Sequence, residues 1–131
     1  MENVFTLTIT VSSEDIDTLL HVNNLVYVKW MDKIATEHWA FLTRKHPLPQ
    51  YIWVVRRHEI DYLKQAGLGD KITVKTWVGE TRGITSERIM EFYRDHVLLV
   101  SAKTTWAMLD AKTYKPTRIR ENVLKVLQAT K

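Results

Sequence analysis

The sequence predicts an α+β fold in which a five-stranded antiparallel sheet curls around one long central helix. Three observations carry this expectation. The N-terminus alternates strictly with a period of two, a single long segment shows a wide apolar helical face, and four later β-rich runs are joined mostly by short turns.

Over residues 4–12, Phe5, Leu7, Ile9 and Val11 alternate with Thr6, Thr8 and Thr10, the signature of a half-buried strand. An acidic, irregular stretch from Ser12 to Asp17 leads to His21-Val22-Asn23-Asn24, where asparagine is a favoured helix N-cap. From Leu25 to about Arg44 the residues Lys29, Asp32, Lys33, Thr36, Glu37, Thr43 and Arg44 fall on one polar stripe. Val28, Met31, Ile34, Ala35, His38, Trp39, Phe41 and Leu42 fill the opposite face, with His38 read as a packing residue. Pro47 and Pro49 are expected to end this helix, since neither can continue its hydrogen-bond ladder.

Strands are then expected over Tyr51–Tyr62, Lys71–Val78, Ile84–Tyr93 and Val97–Leu109. They are joined by turns at Gly67-Leu68-Gly69-Asp70, around Gly79 to Gly83, and at Arg94-Asp95-His96, with a short terminal helix over Asn122–Leu127. One helix covers one face of one sheet, so the face left over points to self-association.

Composition narrows the function classes. The 131 residues, 45% hydrophobic and 26% charged, fit one globular domain over residues 1–131. No apolar run approaches the ~20 residues of a membrane-spanning helix, so no membrane partner is expected. The alternating N-terminus is unlike a secretory leader, which makes the cytoplasm the default location. Cysteine is absent, which removes disulfides and thiolate nucleophiles and leaves the chemistry to oxygen and imidazole. A formal charge of +4 mildly favours anionic partners. Basic residues form no tail and do not interleave with aromatics along a strand, so nucleic acid is not expected.

The chemistry-bearing segment runs from Asp15 to Tyr27. Asp17 and His21 stand four apart just before the helix start, whose first backbone N–H groups have no internal partner and can receive a carbonyl oxygen. A carboxylate beside such donors can serve as base or nucleophile in acyl transfer. The competing reading is that Asp17, Asn23 and Asn24 only cap the helix. Asp17 and His21 lack a third ligand of evident spacing, so no metal and no cofactor are expected.

Asp-x-Asp-x-x-x-His-Val-Asn-Asn-x-x-Tyr, Asp15 to Tyr27 here, resembles the signature of the hotdog-fold thioesterases, the 4-hydroxybenzoyl-CoA thioesterase-like and acyl-carrier-protein thioesterase group. Trp30 and Asp32, Arg57-His58-Glu59-Ile60-Asp61-Tyr62-Leu63, Gly69-Asp70, Trp106 with Leu109-Asp110, and Lys115-Pro116 are similar to the same pattern. The resemblance implies a hotdog fold and hydrolysis of an acyl-CoA thioester by a homodimer or homotetramer with its pocket between subunits. It makes Asp17 the catalytic carboxylate and Asn23 and Asn24 the helix start that polarises the thioester, with His21 orienting the loop. Tyr27, Arg82, Thr85 and Ser86 become substrate-binding candidates, and Arg56, Arg57 and Lys103 candidates for the CoA phosphates. Two departures stand out: Leu20 occupies a position that is glycine in many relatives, and Leu19 one that is asparagine in carrier-protein enzymes. The second shifts weight from an acyl-carrier-protein (acyl-ACP) substrate to acyl-CoA. The alternatives are an acyl-ACP thioesterase and a non-catalytic acyl-CoA-binding hotdog domain.

Overall fold

The alternating N-terminal segment forms β1 (Phe5–Thr10) in the computed structural model, which describes residues 3–128. A single 3-10 turn (Ser13–Asp15) follows, closed where Asp15 Oδ2 accepts the Ser12 N–H at 2.8 Å and the Ser12 hydroxyl at 3.0 Å. Then come α1 (Asn24–Leu42), β2 (Tyr51–Tyr62), β3 (Lys71–Arg82), β4 (Thr85–Arg94), β5 (Val97–Asp110) and α2 (Glu121–Gln128). The five strands form one sheet in the order β1-β3-β4-β5-β2, every pairing antiparallel. This is the α+β plan expected from the sequence.

α1 is positioned by its buried stripe: Tyr27, Met31, Ile34, Ala35, His38 and Leu42 recur at three- and four-residue spacing and face the sheet. Its first half packs on Ile72, Val74, Met90, Phe92 and Val100. A second cluster, Leu42, Met108, Ile119, Val123 and Leu127, anchors α2 beside the helix's far end. Val28, Trp39 and Phe41, expected in the apolar face, are only half-buried.

Two expected boundaries move. α1 ends at Leu42, ahead of the prolines, with Thr43 as its C-cap at φ −99° and ψ 8°: its N–H makes the last i to i−4 bond, to the Trp39 carbonyl at 3.0 Å, which also accepts the Thr43 hydroxyl at 2.8 Å. β3 does not end at Val78 but runs through Gly79 to Arg82, because a bulge between Val78 and Thr81 absorbs the register change. At the bulge a Cβ on Gly79 would stand 2.5 Å from Ile89 Cδ1, so a larger residue there would have to displace the end of that side chain. The turn itself is reduced to Gly83 and Ile84, with Gly83 at φ 65°.

β2 is an edge strand of twelve residues bonded only to β5, and Val54 and Val55 stay exposed beside a bulge between Val55 and Arg57. Among the described residues no helix is long and apolar enough to cross a membrane.

Candidate active site

The loop between β1 and α1 is a miniature hairpin. Ile16 and Val22 bridge antiparallel, the Asp17 N–H donates to the His21 carbonyl at 2.9 Å, and the Leu20 N–H donates to the Asp17 carbonyl at 3.0 Å. Thr18, Leu19 and Leu20 are its three loop residues. Such a loop closes with its last residue in the left-handed region, and Leu20 sits there at φ 64°. The leucine that replaces glycine in the motif therefore occupies a conformation that glycine adopts without strain.

Asp17 is fixed by this turn. Its Oδ1 accepts the Leu19 N–H at 2.9 Å and the His21 N–H at 3.3 Å, while Oδ2 has no bond to the described residues. His21 thus orients the carboxylate through its backbone. The Asn23 N–H donates to the Asp15 carbonyl at 2.9 Å, which ties the hairpin to the helix start.

Asn23 is the N-cap, as its type suggested. Its side chain accepts the Leu25 N–H at 2.9 Å and its carbonyl accepts the Val26 N–H at 2.9 Å. Among the described residues this leaves the Asn24 N–H without a partner, at the positive end of a 19-residue helix. Asn24 is exposed, and its carbonyl accepts the Tyr62 hydroxyl at 3.2 Å.

A clamp from the segment before β3 holds the hairpin from below. Val22 N–H donates to the Ala66 carbonyl at 2.8 Å, and His21 bridges Gly67. Asp70 Oδ2 then accepts the Gly67 N–H at 2.9 Å and Arg94 Nη1 at 3.0 Å. The Gly67 N–H and the Arg94 guanidinium hold the Asp70 carboxyl below the usual carboxylate range. Sequence reasoning missed Asp70 and Arg94 as supports; the Gly-x-Gly-Asp turn was visible, but the partner on β4 was not.

The other site candidates are dispersed. Tyr27 is buried at 3% exposure against Trp30, Tyr62 and Phe92, with its hydroxyl unbonded among the described residues. Burial pushes that hydroxyl up to about 12. Arg82, Thr85 and Ser86 flank the β3–β4 turn, whereas the Asp17 hairpin rests on the segment leading into β3. Within one chain β3, from Lys71 to Arg82, runs from the one to the other, roughly 35 Å of extended strand. Arg82 is exposed near Glu80 at 3.9 Å, and the Thr85 hydroxyl donates to the Arg82 carbonyl at 3.2 Å. Ser86 is buried and shares a 2.7 Å hydrogen bond with Thr81. Lys103 stands between Glu59 and Glu87, at 3.7 and 3.8 Å, and Arg57 lies 3.6 Å from Glu59; Arg56 is exposed. Among the described residues no three His, Asp or Glu side chains are grouped as a metal would require.

A second feature lies away from Asp17. Between the middle of α1 and the sheet there is a cavity of about 340 Å³, walled by Ala35, Trp39, Trp53, Ser86, Arg88 and Trp106 among others. Only Ser86 of these was among the site candidates.

The model of the thioesterase-like superfamily matches residues 11–127. The chain is 31% identical over 74 residues to the chloroplastic acyl-(acyl-carrier-protein) hydrolase of Cuphea viscosissima; the match covers 55% of this chain and 18% of that protein's length. A structure described as a predicted thioesterase from Bacillus stearothermophilus superposes with a TM-score of 0.86 at 21% identity, over 97% of this chain and 96% of the other. A Staphylococcus aureus protein solved in complex with CoA gives 0.86 at 16% identity, over 98% and 85%. The 1,4-dihydroxy-2-naphthoyl-CoA thioesterase of Synechocystis gives 0.78 at 17% identity, over 96% of both chains. The sheet order and central helix are those of this hotdog-fold group.

Proposed function

The chain belongs to the thioesterase-like superfamily, and from that premise we propose that it hydrolyses acyl-CoA thioesters with the Asp17 carboxylate at the start of α1. The observation that carries the proposal is the division of labour within Asp17: Oδ1 is saturated by two backbone N–H groups and Oδ2 is left for chemistry.

The thioester carbonyl oxygen docks on the open Asn24 N–H, where the helix dipole stabilises the charge that develops on it. In the water route, Asp17 Oδ2 takes a proton from a water as its oxygen adds to the carbonyl carbon. The tetrahedral intermediate then collapses, the carbon–sulfur bond breaks, and the departing CoA thiolate recovers the proton from Asp17. In the direct route, Oδ2 itself adds to the carbonyl carbon and expels the thiolate, and water then cleaves the mixed anhydride. Both routes consume one water and yield the free acid and CoA.

Leu19, where carrier-protein enzymes have asparagine, favours CoA over a carrier protein as the group that delivers the acyl chain. A fold neighbour solved with CoA and another named as a CoA thioesterase support the same choice. The matched plant relative, named for the carrier-protein thioester, supports the alternative. Paired substrates decide: with one acyl group presented on CoA and on acyl carrier protein, kcat/KM is expected to favour CoA by roughly tenfold or more. A preference for the carrier protein would reverse the assignment.

The unpaired β2 edge with exposed Val54 and Val55 supports assembly of two copies through that strand. Light scattering is expected to return at least a dimer, and a fully active monomer would refute it.

A further inference from the structure

Among the described residues, a positive charge inside the sheet has no carboxylate to meet it. Arg88 stands on the inward face of β4, in the alternation Ser86, Arg88, Met90 and Phe92, and keeps 6% of its surface exposed. Its Nη1 lies 2.7 Å from His38 Nδ1 and donates to Thr76 Oγ1 at 3.2 Å, and both partners are uncharged at neutral pH. Because guanidinium only donates, Nδ1 is the acceptor and the His38 proton resides on Nε2. Burial and the neighbouring guanidinium hold His38 down at about 3, so it stays neutral. Burial also lowers Arg88, to about 10, which leaves it charged. Among the described residues no salt bridge involves it. A buried cation with only neutral partners is costly, and an anion that completed the set would remove much of that cost.

Arg88 is part of the wall of the 340 Å³ cavity, whose other surfaces are largely indole and aliphatic. Two of those indoles, Trp53 and Trp106, have buried Nε1 atoms without an acceptor among the described residues. Two acidic groups also border the cavity, and neither bonds Arg88 among the described residues. Asp32 is exposed on the helix surface, and Glu87 lies 3.8 Å from Lys103. Arg88 and the two indole N–H groups are buried donors in the wall, and most of the remaining lining is apolar.

We propose that this cavity binds an organic carboxylate, with the apolar body against the tryptophans and the carboxylate on Arg88. Ala35, in the cavity wall, lies eleven residues beyond Asn24, about 16 Å along the helix from the proposed reaction centre. The carboxylate is therefore either the far end of an acyl group whose thioester sits at Asp17, an assignment that rests on the thioesterase reading, or a separate free acid.

Tryptophan fluorescence of the folded protein reads binding without turnover. Phenylacetate and octanoate are titrated beside their neutral analogues, phenylacetamide and octanamide. At least one acid is expected to give a saturable change and to bind roughly tenfold more tightly than its amide. R88M is expected to erase that preference, and T36F, an exposed substitution at the cavity wall, to weaken acid and amide together. Equal affinity of acid and amide, or no saturable response to either acid, would overturn the proposal. A kinetic arm separates the two sources. A KM lower for an ω-carboxylated acyl-CoA than for its unsubstituted counterpart, with the difference lost in R88M, assigns the carboxylate to the acyl terminus. Equal KM values beside tight acid binding assign it to a free acid. Absence of any turnover would sink the thioesterase reading and leave the titration to decide the cavity.

Discussion

The two ends of α1 solve opposite problems. At the N-terminal end, polar groups are left without partners among the described residues: the Asn24 N–H is open, Asp17 Oδ2 is free, and Leu20 is held at φ 64° to close the hairpin that carries Asp17. Toward the C-terminal half, polar groups are enclosed, with Arg88, His38 and Thr76 bonded to one another behind a wall of tryptophans. The first arrangement suits a reacting carbonyl, which needs donors already aligned and reachable. The second suits recognition, because a buried charge in a largely apolar surround discriminates between an anion and its neutral isostere. On the two proposals made above, one helix separates where bonds change from where a ligand is read.

Substitutions at the two ends should therefore fail in different ways. The largest effect is expected from D17N, which keeps the acceptor for Leu19 and His21 and removes only the reactive carboxylate. Turnover should fall roughly a hundred- to ten-thousandfold with an unchanged melting temperature. A parallel loss of melting temperature would make Asp17 a structural cap instead.

At the other end the signature is acid sensitivity. His38 titrates at about 3 when folded against 6.5 when unfolded. The unfolded chain therefore binds the extra proton between those values, and stability is full above pH 6.5 and is lost as pH falls through that window. The loss is about 3 kcal/mol by about pH 4.5. Melting temperatures across this range should flatten in H38Q, whose amide oxygen can still accept from Arg88 but does not titrate; an unchanged slope would refute the assignment.

Smaller effects return to the N-terminal end. N23A should cost about 1 kcal/mol, read by urea denaturation, and should lower turnover because the first turn of α1 frays. L20G should stabilise by about 0.5 kcal/mol, since the left-handed backbone is relieved while an exposed side chain is lost. Destabilisation by L20G would show that Leu20 packs against something in the working assembly.

How much of each end could be read in the sequence follows from how each is built. The hairpin and helix start lie within thirteen consecutive residues, Asp15 to Tyr27, so their chemistry sits in a short string and Asn23 announces the cap. The alternation of β1 and the β-rich runs that form the other four strands were equally local, and the sheet followed from them. Side-chain partners across elements were not local. Asp70 meets Arg94 across 24 positions, and His38 meets Arg88 across 50. Packing, the role that its place on the apolar face suggested, is only half of what His38 does. It stacks on Phe5 with ring centroids 4.6 Å apart and also accepts from the buried guanidinium. One signal for the cavity was present, an arginine at the inward parity of Ser86, Met90 and Phe92, where a charged residue needs a reason to be buried. Arg82 and Thr85 were placed beside the thioester by resemblance, and β3 carries them to the far end of the same chain.

The central claim is that the start of α1 hydrolyses a CoA thioester through Asp17. Its most direct test is free-thiol release from a panel of acyl-CoA thioesters by the wild-type protein and by D17N, with both shown to be folded by thermal melting. The account predicts saturable release from at least one thioester by the wild type, and binding of that thioester without comparable release by D17N. No release from any member by the folded wild type, or release by D17N at the wild-type rate, would contradict it.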